Sequence, residues 1–205
     1  SRCYERIAYF EERGMRRSDR VFMQYGNNIE FFVDLISIWS LGGCIIPVDP
    51  RLTIFEVETL ARAAHPRFSL WDGAPDDAML KALSSLEVQV LTSSDSPITG
   101  SSIPLSRNIG NNFTLDQEAL ILFTSGTTGS PKGVVHTHRS LLARWMSLRQ
   151  SLGLAAYKRT LCLLPTHFGH GLICNCLFPW LSGLDLYILP PFKPEIIMQL
   201  GEILD

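Results

Sequence analysis

The chain has 205 residues, a formal net charge of −2 at pH 7, 46% hydrophobic residues and 19% charged ones. That is the profile of one globular domain, or one domain and part of another, with a sizeable core. The charge balance argues against nucleic acid and anionic membranes as partners, since either favours a basic surface.

Five cysteines, an odd number, form no disulfide framework. They read as reduced thiols of a cytoplasmic protein. The opening stretch "SRCYERIAYFEERG" lacks the apolar segment of a signal peptide. Arg13, Arg16, Arg17 and Arg20 cluster nearby, but Glu11, Glu12 and Asp19 are interleaved with them, which predicts a solvated face.

Short apolar runs then alternate with helical patterns. "RVFMQY" (Arg20–Tyr25) predicts a strand and "IEFFVDLISIWSL" (Ile29–Leu41) a mostly buried helix. "CIIPV" (Cys44–Val48) predicts a second strand. The next helix starts at Thr53, which forms a capping box with Glu56, while Leu52 and Val57 stand where a hydrophobic staple belongs. "RFSLW" (Arg67–Trp71), a helix over Asp77–Leu86 and "VQVL" (Val88–Leu91) follow. Residues 93–112, rich in Ser, Asn, Gly and Pro without a period, predict a mobile loop.

Further on come a strand at Leu120–Phe123, "VVHTH" (Val134–His138), a helix from about Ser140 to Leu152 and a strand at Thr160–Leu164. Gly171–Leu181 predicts a buried helix, too short to span a bilayer and interrupted by a proline. A strand at Leu184–Leu189 and a closing helix at Lys193–Leu204 complete the pattern, with Pro194 near the first turn. Strands alternating with helices of this length imply βαβ units: an α/β fold with a mostly parallel sheet covered by helices on both faces.

Between two of these strands lies "TSGTTGSPKG", residues 124–133. A loop free of bulky side chains after a buried strand lets backbone N–H groups approach an anion, and glycine permits the dihedrals this needs. Thr124, Ser125, Thr127, Thr128 and Ser130 add hydroxyls able to ligate a hard cation such as Mg²⁺, and Lys132 adds a point charge. By composition this is a phosphate cradle. It is not the Gly-x-x-x-x-Gly-Lys-Ser/Thr loop, because Gly133 follows Lys132. Gly-x-Gly-x-x-Gly does not occur, and Pro131 stands where a nucleophile elbow would hold serine.

"LILFTSGTTGSPKGVVHTHRSLL" (Leu120–Leu142) resembles the signature of the adenylate-forming (AMP-binding) enzymes, which include acyl- and aryl-CoA synthetases, peptide-synthetase adenylation domains and luciferases. Upstream, Leu41–Asp72 resembles the family's second motif. Downstream, "LCLLPTHFGHGL" (Leu161–Leu172) resembles its acyl-pocket segment. The resemblance covers essentially the whole chain and implies residues 1–205 of a partial N-terminal large domain with Rossmann-like layers, the small C-terminal domain being absent.

The activity so implied has two steps. A carboxylic acid attacks the α-phosphate of Mg·ATP and releases pyrophosphate. CoA, or the phosphopantetheine of a carrier protein, then takes the acyl group from the adenylate. Thr124, Ser125, Thr127 and Thr128 would bind phosphate through their hydroxyls, Gly126 and Gly129 would allow close backbone approach, and Lys132 would neutralise charge. Members of the family often carry Pro-x-x-His in the pocket segment. Counting from Pro165 that position is Phe168, so His167, Phe168, His170 and Gly171 are the gate candidates.

The family's catalytic lysine and its Mg²⁺- and ribose-binding residues would lie beyond Asp205, so no catalytic residue is named. The isolated chain is expected to be inactive and to self-associate through an apolar face at Pro194–Leu204. Two other readings stay open: a non-catalytic nucleotide- or acyl-binding module, and a metal-binding protein using His136, His138, His167, His170, Cys174 and Cys176. Against the latter, Cys174 and Cys176 stand two apart in a helical pattern and share no face.

Overall fold

The computed structural model describes residues 2–93, 114–124 and 131–189. The expected loop at 93–112 (Ser93 apart), the hydroxyl-rich residues 125–130 and the closing helix with its apolar face fall outside these residues. In chain order the elements are α1 (Arg2–Glu12), β1 (Arg20–Gln24), α2 (Ile29–Ser40), β2 (Cys44–Pro47), α3 (Ile54–Ala64), β3 (Phe68–Trp71) and α4 (Asp77–Ser85). Then follow β4 (Gln89–Thr92), β5 (Glu118–Thr124), β6 (Lys132–Thr137), α5 (His138–Leu152), β7 (Arg159–Cys162), a π-helix (His170–Leu177) running into α6 (Phe178–Leu181), and β8 (Asp185–Ile188).

Six strands form one sheet in the order β4-β3-β1-β2-β5-β6, and β7 and β8 form a second, two-stranded sheet. All neighbours pair parallel except β5 and β6. The expected α/β fold is therefore present.

The two faces of the sheet are built by the two-residue period of its strands. Val21 and Met23 of β1, Ile45 of β2 and Leu120 of β5 join a core with Phe10 of α1 and Phe31, Leu35 and Ile38 of α2. Phe22, Ile46 and Ile121, one step along each strand, join the opposite core with Val57 and Ala61 of α3 and Met79 and Leu83 of α4. Each fully buried side chain of this size contributes about 1.5–3 kcal/mol.

The helix starts follow local chemistry. Asn28 caps α2 by accepting from Phe31 N–H, and Asp76 caps α4 by accepting from Met79 N–H. The capping box of Thr53 and Glu56 forms as expected, and Leu52 packs in the same cluster as Val57.

Four features were not expected from the sequence or differ from what was. The polar opening stretch folds as α1, burying Arg6, Ile7, Tyr9 and Phe10. The arginine cluster is not a uniformly solvated face: Arg20 forms a bidentate pair with Glu118, with both distances 2.9 Å. It also donates to Ala64 O, tying the starts of β1 and β5 to the end of α3. Asp19 pairs with Arg67 at 2.9 Å. The segment expected as one helix at Gly171–Leu181 is π-helical to Leu177, with Phe178 N–H bonding Ile173 O. α6 then begins at Phe178, with Pro179 in its first turn, where the missing backbone N–H needs no acceptor.

Candidate functional site

Because β1 to β5 run parallel, their C-terminal ends share one edge of the sheet. The connection after β1 leads to α2 on one face, and the connection after its neighbour β2 leads to α3 on the other. Two adjacent connections that diverge in this way open a crevice, the place where α/β sheets bind ligands.

The antiparallel pair β5–β6 brings Thr124 and Lys132, which flank the candidate phosphate-binding residues in sequence, to this edge. Thr124 is paired across the ladder with Lys132, and the Thr124 hydroxyl donates to Lys132 O at 3.4 Å. Both residues are exposed. Gly133 is required at the neck, since a Cβ there would come within 2.9 Å of Ile121 Cγ2 and 3.4 Å of the Phe123 ring. Of the expected phosphate-binding residues, Thr124 and Lys132 are thus brought side by side. Ser125, Gly126, Thr127, Thr128 and Gly129 fall outside the described residues.

The candidate pocket segment meets the same edge. A Cβ on Gly169 would approach Leu122 Cδ1 of β5 to 2.9 Å, so the segment lies against the strand that ends in Thr124. Gly171 is buried, and a Cβ on it would stand 2.5 Å from Pro165 O. The turn Pro165–Phe168, closed by Phe168 N–H bonding Pro165 O, can pack onto the π-helix only with glycine there.

Among the gate candidates, Phe168 is 57% exposed and its ring lies 4.9 Å from that of His167. His167 Nε2 is 3.4 Å from Asp49 Oδ2. Burial holds the His167 imidazole below its usual range against the opposing pull of Asp49. The Asp49 carboxyl is held below its own range chiefly by hydrogen bonds from Arg51. His170 is exposed at the start of the π-helix.

Two polar residues at the crevice carried no sequence expectation. Asn27, just beyond β1, donates through Nδ2 to Leu164 O and accepts from Thr166 N–H, each at 3.0 Å. Asp49, just beyond β2, faces His167. The available signal was the pair Asn27–Asn28 in "YGNNIE". One asparagine suffices to cap α2, which leaves the other with a separate role.

The histidines and cysteines weighed as metal ligands are dispersed. His138 packs edge-on against Trp39 with ring centroids 5.2 Å apart, and Cys176 meets Cys162 in the core, Sγ to Sγ 3.3 Å. Among the described residues no three His, Cys, Asp or Glu side chains converge as a metal cluster.

Comparison with known proteins places these features in context. The model of the AMP-binding enzyme family matches residues 2–202. Malonate–CoA ligase ACSF3, mitochondrial, of Xenopus laevis is 27% identical over 184 residues, covering 88% of this chain and 32% of the relative. Long-chain-fatty-acid–CoA ligase FadD13 of Mycobacterium tuberculosis is 27% identical over 192 residues, covering 91% of this chain and 38% of the relative.

Among solved structures, ATP-bound MatB from Rhodopseudomonas palustris superposes with a TM-score of 0.84 at 23% identity, covering 97% of this chain and 40% of that one. The O-succinylbenzoate CoA synthetase MenE of Bacillus subtilis, in complex with AMP, has a TM-score of 0.83 at 19% identity, covering 97% and 50%. At these identities the structural likeness establishes the fold. The chain spans about a third of the length of the curated relatives it matches.

Proposed function

The chain belongs to the AMP-binding enzyme family, and from that premise we propose that the complete protein activates a carboxylic acid with ATP. An oxygen of the acid attacks the α-phosphorus, the bond to the β-phosphate oxygen breaks, and pyrophosphate leaves. A thiol, of CoA or of a carrier-protein phosphopantetheine, then displaces AMP to give the thioester. Residues 1–205 would form part of the larger domain that does this.

One observation carries the reading. In a chain that the family matches nearly end to end, Thr124 and Lys132 stand paired at the C-terminal edge of a parallel sheet, on either side of the hydroxyl- and glycine-rich residues. In our reading Thr124, Ser125, Gly126, Thr127, Thr128 and Gly129 hold the β- and γ-phosphates, and Lys132 offsets the charge growing on pyrophosphate. The donor set suits this role: a hydroxyl and an ammonium at the neck, with no carboxylate at either position. Mg²⁺ would arrive on the ATP phosphate oxygens, where Thr124 could add a ligand. His167, Phe168, His170 and Gly171 would border the acid's entrance.

A cytoplasmic location is part of the same proposal. No helix among the described residues is long and apolar enough to cross a membrane, whereas the name of the frog relative assigns that protein to mitochondria. Cell fractionation that recovered the protein with an organelle would overturn it.

The functional test is carboxylic-acid-dependent exchange of labelled pyrophosphate into ATP by the complete protein. Exchange is the expected result. ATP binding without exchange for any of a panel of aryl, alicyclic and acyl acids would refute catalysis and favour a binding module.

A further inference from the structure

The stretch Leu164–Phe168 leaves β7 and enters the π-helix with little regular structure of its own to hold it. Its backbone is instead gripped from the far side of the crevice. Asn27 Nδ2 donates to Leu164 O and Asn27 Oδ1 accepts from Thr166 N–H, both at 3.0 Å, across 137 and 139 residues of sequence. Thr166 is 1% exposed, so its N–H has little recourse to water if that acceptor is lost. Asn27 is free for this task because Asn28 caps α2 and donates to Asp72 at 2.7 Å. From β2, Asp49 reaches the next side chain, His167, while being held by Arg51 through contacts of 2.8–3.0 Å.

We propose that Asn27 is a positioning residue for acid recognition. By clamping both sides of Pro165 it fixes the turn that presents His167 and Phe168 to the incoming acid. This rests on the reading that the segment borders the acid site. The carboxamide donates to Leu164 O from its nitrogen and accepts from Thr166 N–H on its oxygen. Aspartate has the same shape but lacks the donor, and sets a second acceptor against the carbonyl.

The test compares the complete protein with its Asn27→Ala and Asn27→Asp variants in pyrophosphate exchange, reading KM for the acid and for ATP separately. Hydrogen exchange of the amides of residues 163–168 is followed in parallel. Loss of the clamp should raise the acid's KM about tenfold in both variants, the equivalent of one or two net hydrogen bonds. The KM for ATP should stay within about twofold, and the Thr166 amide should exchange faster.

A purely space-filling role would leave Asn27→Asp like the wild type, and a general loss of folding would lower the maximal rate while leaving both KM values unchanged. Either result overturns the proposal, as does faster amide exchange with an unchanged acid KM. If the wild-type protein itself catalyses no exchange, the functional reading fails and this inference falls with it. That outcome is recognised from the wild-type assay alone, whatever the amides report.

Discussion

Arg6 of α1 and Asp34 of α2 form an ion pair in the protein interior, Nε to Oδ1 2.5 Å, with side chains only 7% and 1% exposed. The Tyr25 hydroxyl donates to the other carboxylate oxygen, and Arg6 also donates to Ser93 O beyond β4 at 3.3 Å. Burial pushes the Asp34 carboxyl up to about 6, against the pull of Arg6 and Tyr25. Such a pair gains little over apolar packing, but removing one partner strands a buried charge.

Asp34→Ala should therefore lower unfolding free energy by about 3–5 kcal/mol. The double variant Arg6→Met/Asp34→Leu, which removes both charges and fills the space, should cost markedly less. Urea denaturation measures both. A single variant costing under about 1 kcal/mol would show the pair to be solvated after all.

Stability should also depend on pH through His138, whose imidazole burial pushes down to about 4 from 6.5. A folded pKa below the unfolded one means that folding is favoured above 6.5 and that this contribution is lost as pH falls towards 4. Asp34 acts in the opposite sense. Its folded pKa is raised from 3.8, so its contribution is present at the acid end and lost as pH rises through about 6. The effects separate by mutation: the stability difference between wild type and His138→Gln should shrink from pH 7 to pH 5. An equal difference at both pH values would show that His138 does not titrate within that range.

Lys132→Ala in the complete protein should slow acid-dependent pyrophosphate exchange more than it changes the KM for the acid. Losing one donor to developing negative charge costs on the order of 10²–10³ in rate in a well-studied oxyanion case. The hydroxyls of the same loop would share the load here, so a loss of roughly 10- to 100-fold is expected. Exchange at the wild-type rate would refute the assigned role.

Gly171→Ala should destabilise the protein by about 1–3 kcal/mol, the usual cost of forcing atoms into a filled site. The new methyl would stand 2.5 Å from Pro165 O, a backbone atom that cannot swing aside. Gly73→Ala, where nothing lies within 4 Å, serves as the control. Equal thermal midpoints for the two variants would mean that the turn at Pro165 yields freely.

Thiol labelling of the native chain should modify Cys3 and Cys174, which are half-buried, and spare Cys44, Cys162 and Cys176, which are buried. Burial also pushes the Cys44 thiol up to about 12, so little reactive thiolate forms. Uniform labelling of all five without denaturant would contradict the packing of β2 and β7.

What the sequence determined by itself was local. Arg20–Tyr25 announces a strand, Thr53 and Glu56 announce a helix start, and "TSGTTGSPKG" announces a glycine- and hydroxyl-rich loop between two strands. Periodicity, caps and turn residues act within a few positions, so they can be read without knowing the rest of the chain.

Tertiary structure alone decided which distant groups meet. α1 was hidden because its buried face includes a charged residue, Arg6, whose partner lies on another helix. The bond between Arg20 and Glu118 joins residues 98 apart, and Asn27 reaches Leu164 across 137. An asparagine after a strand looks the same whether it faces water or grips another segment. Only the parallel ordering of β1 beside β2, with α2 and α3 sent to opposite faces, opens the crevice that gives Asn27 and Asp49 something to hold.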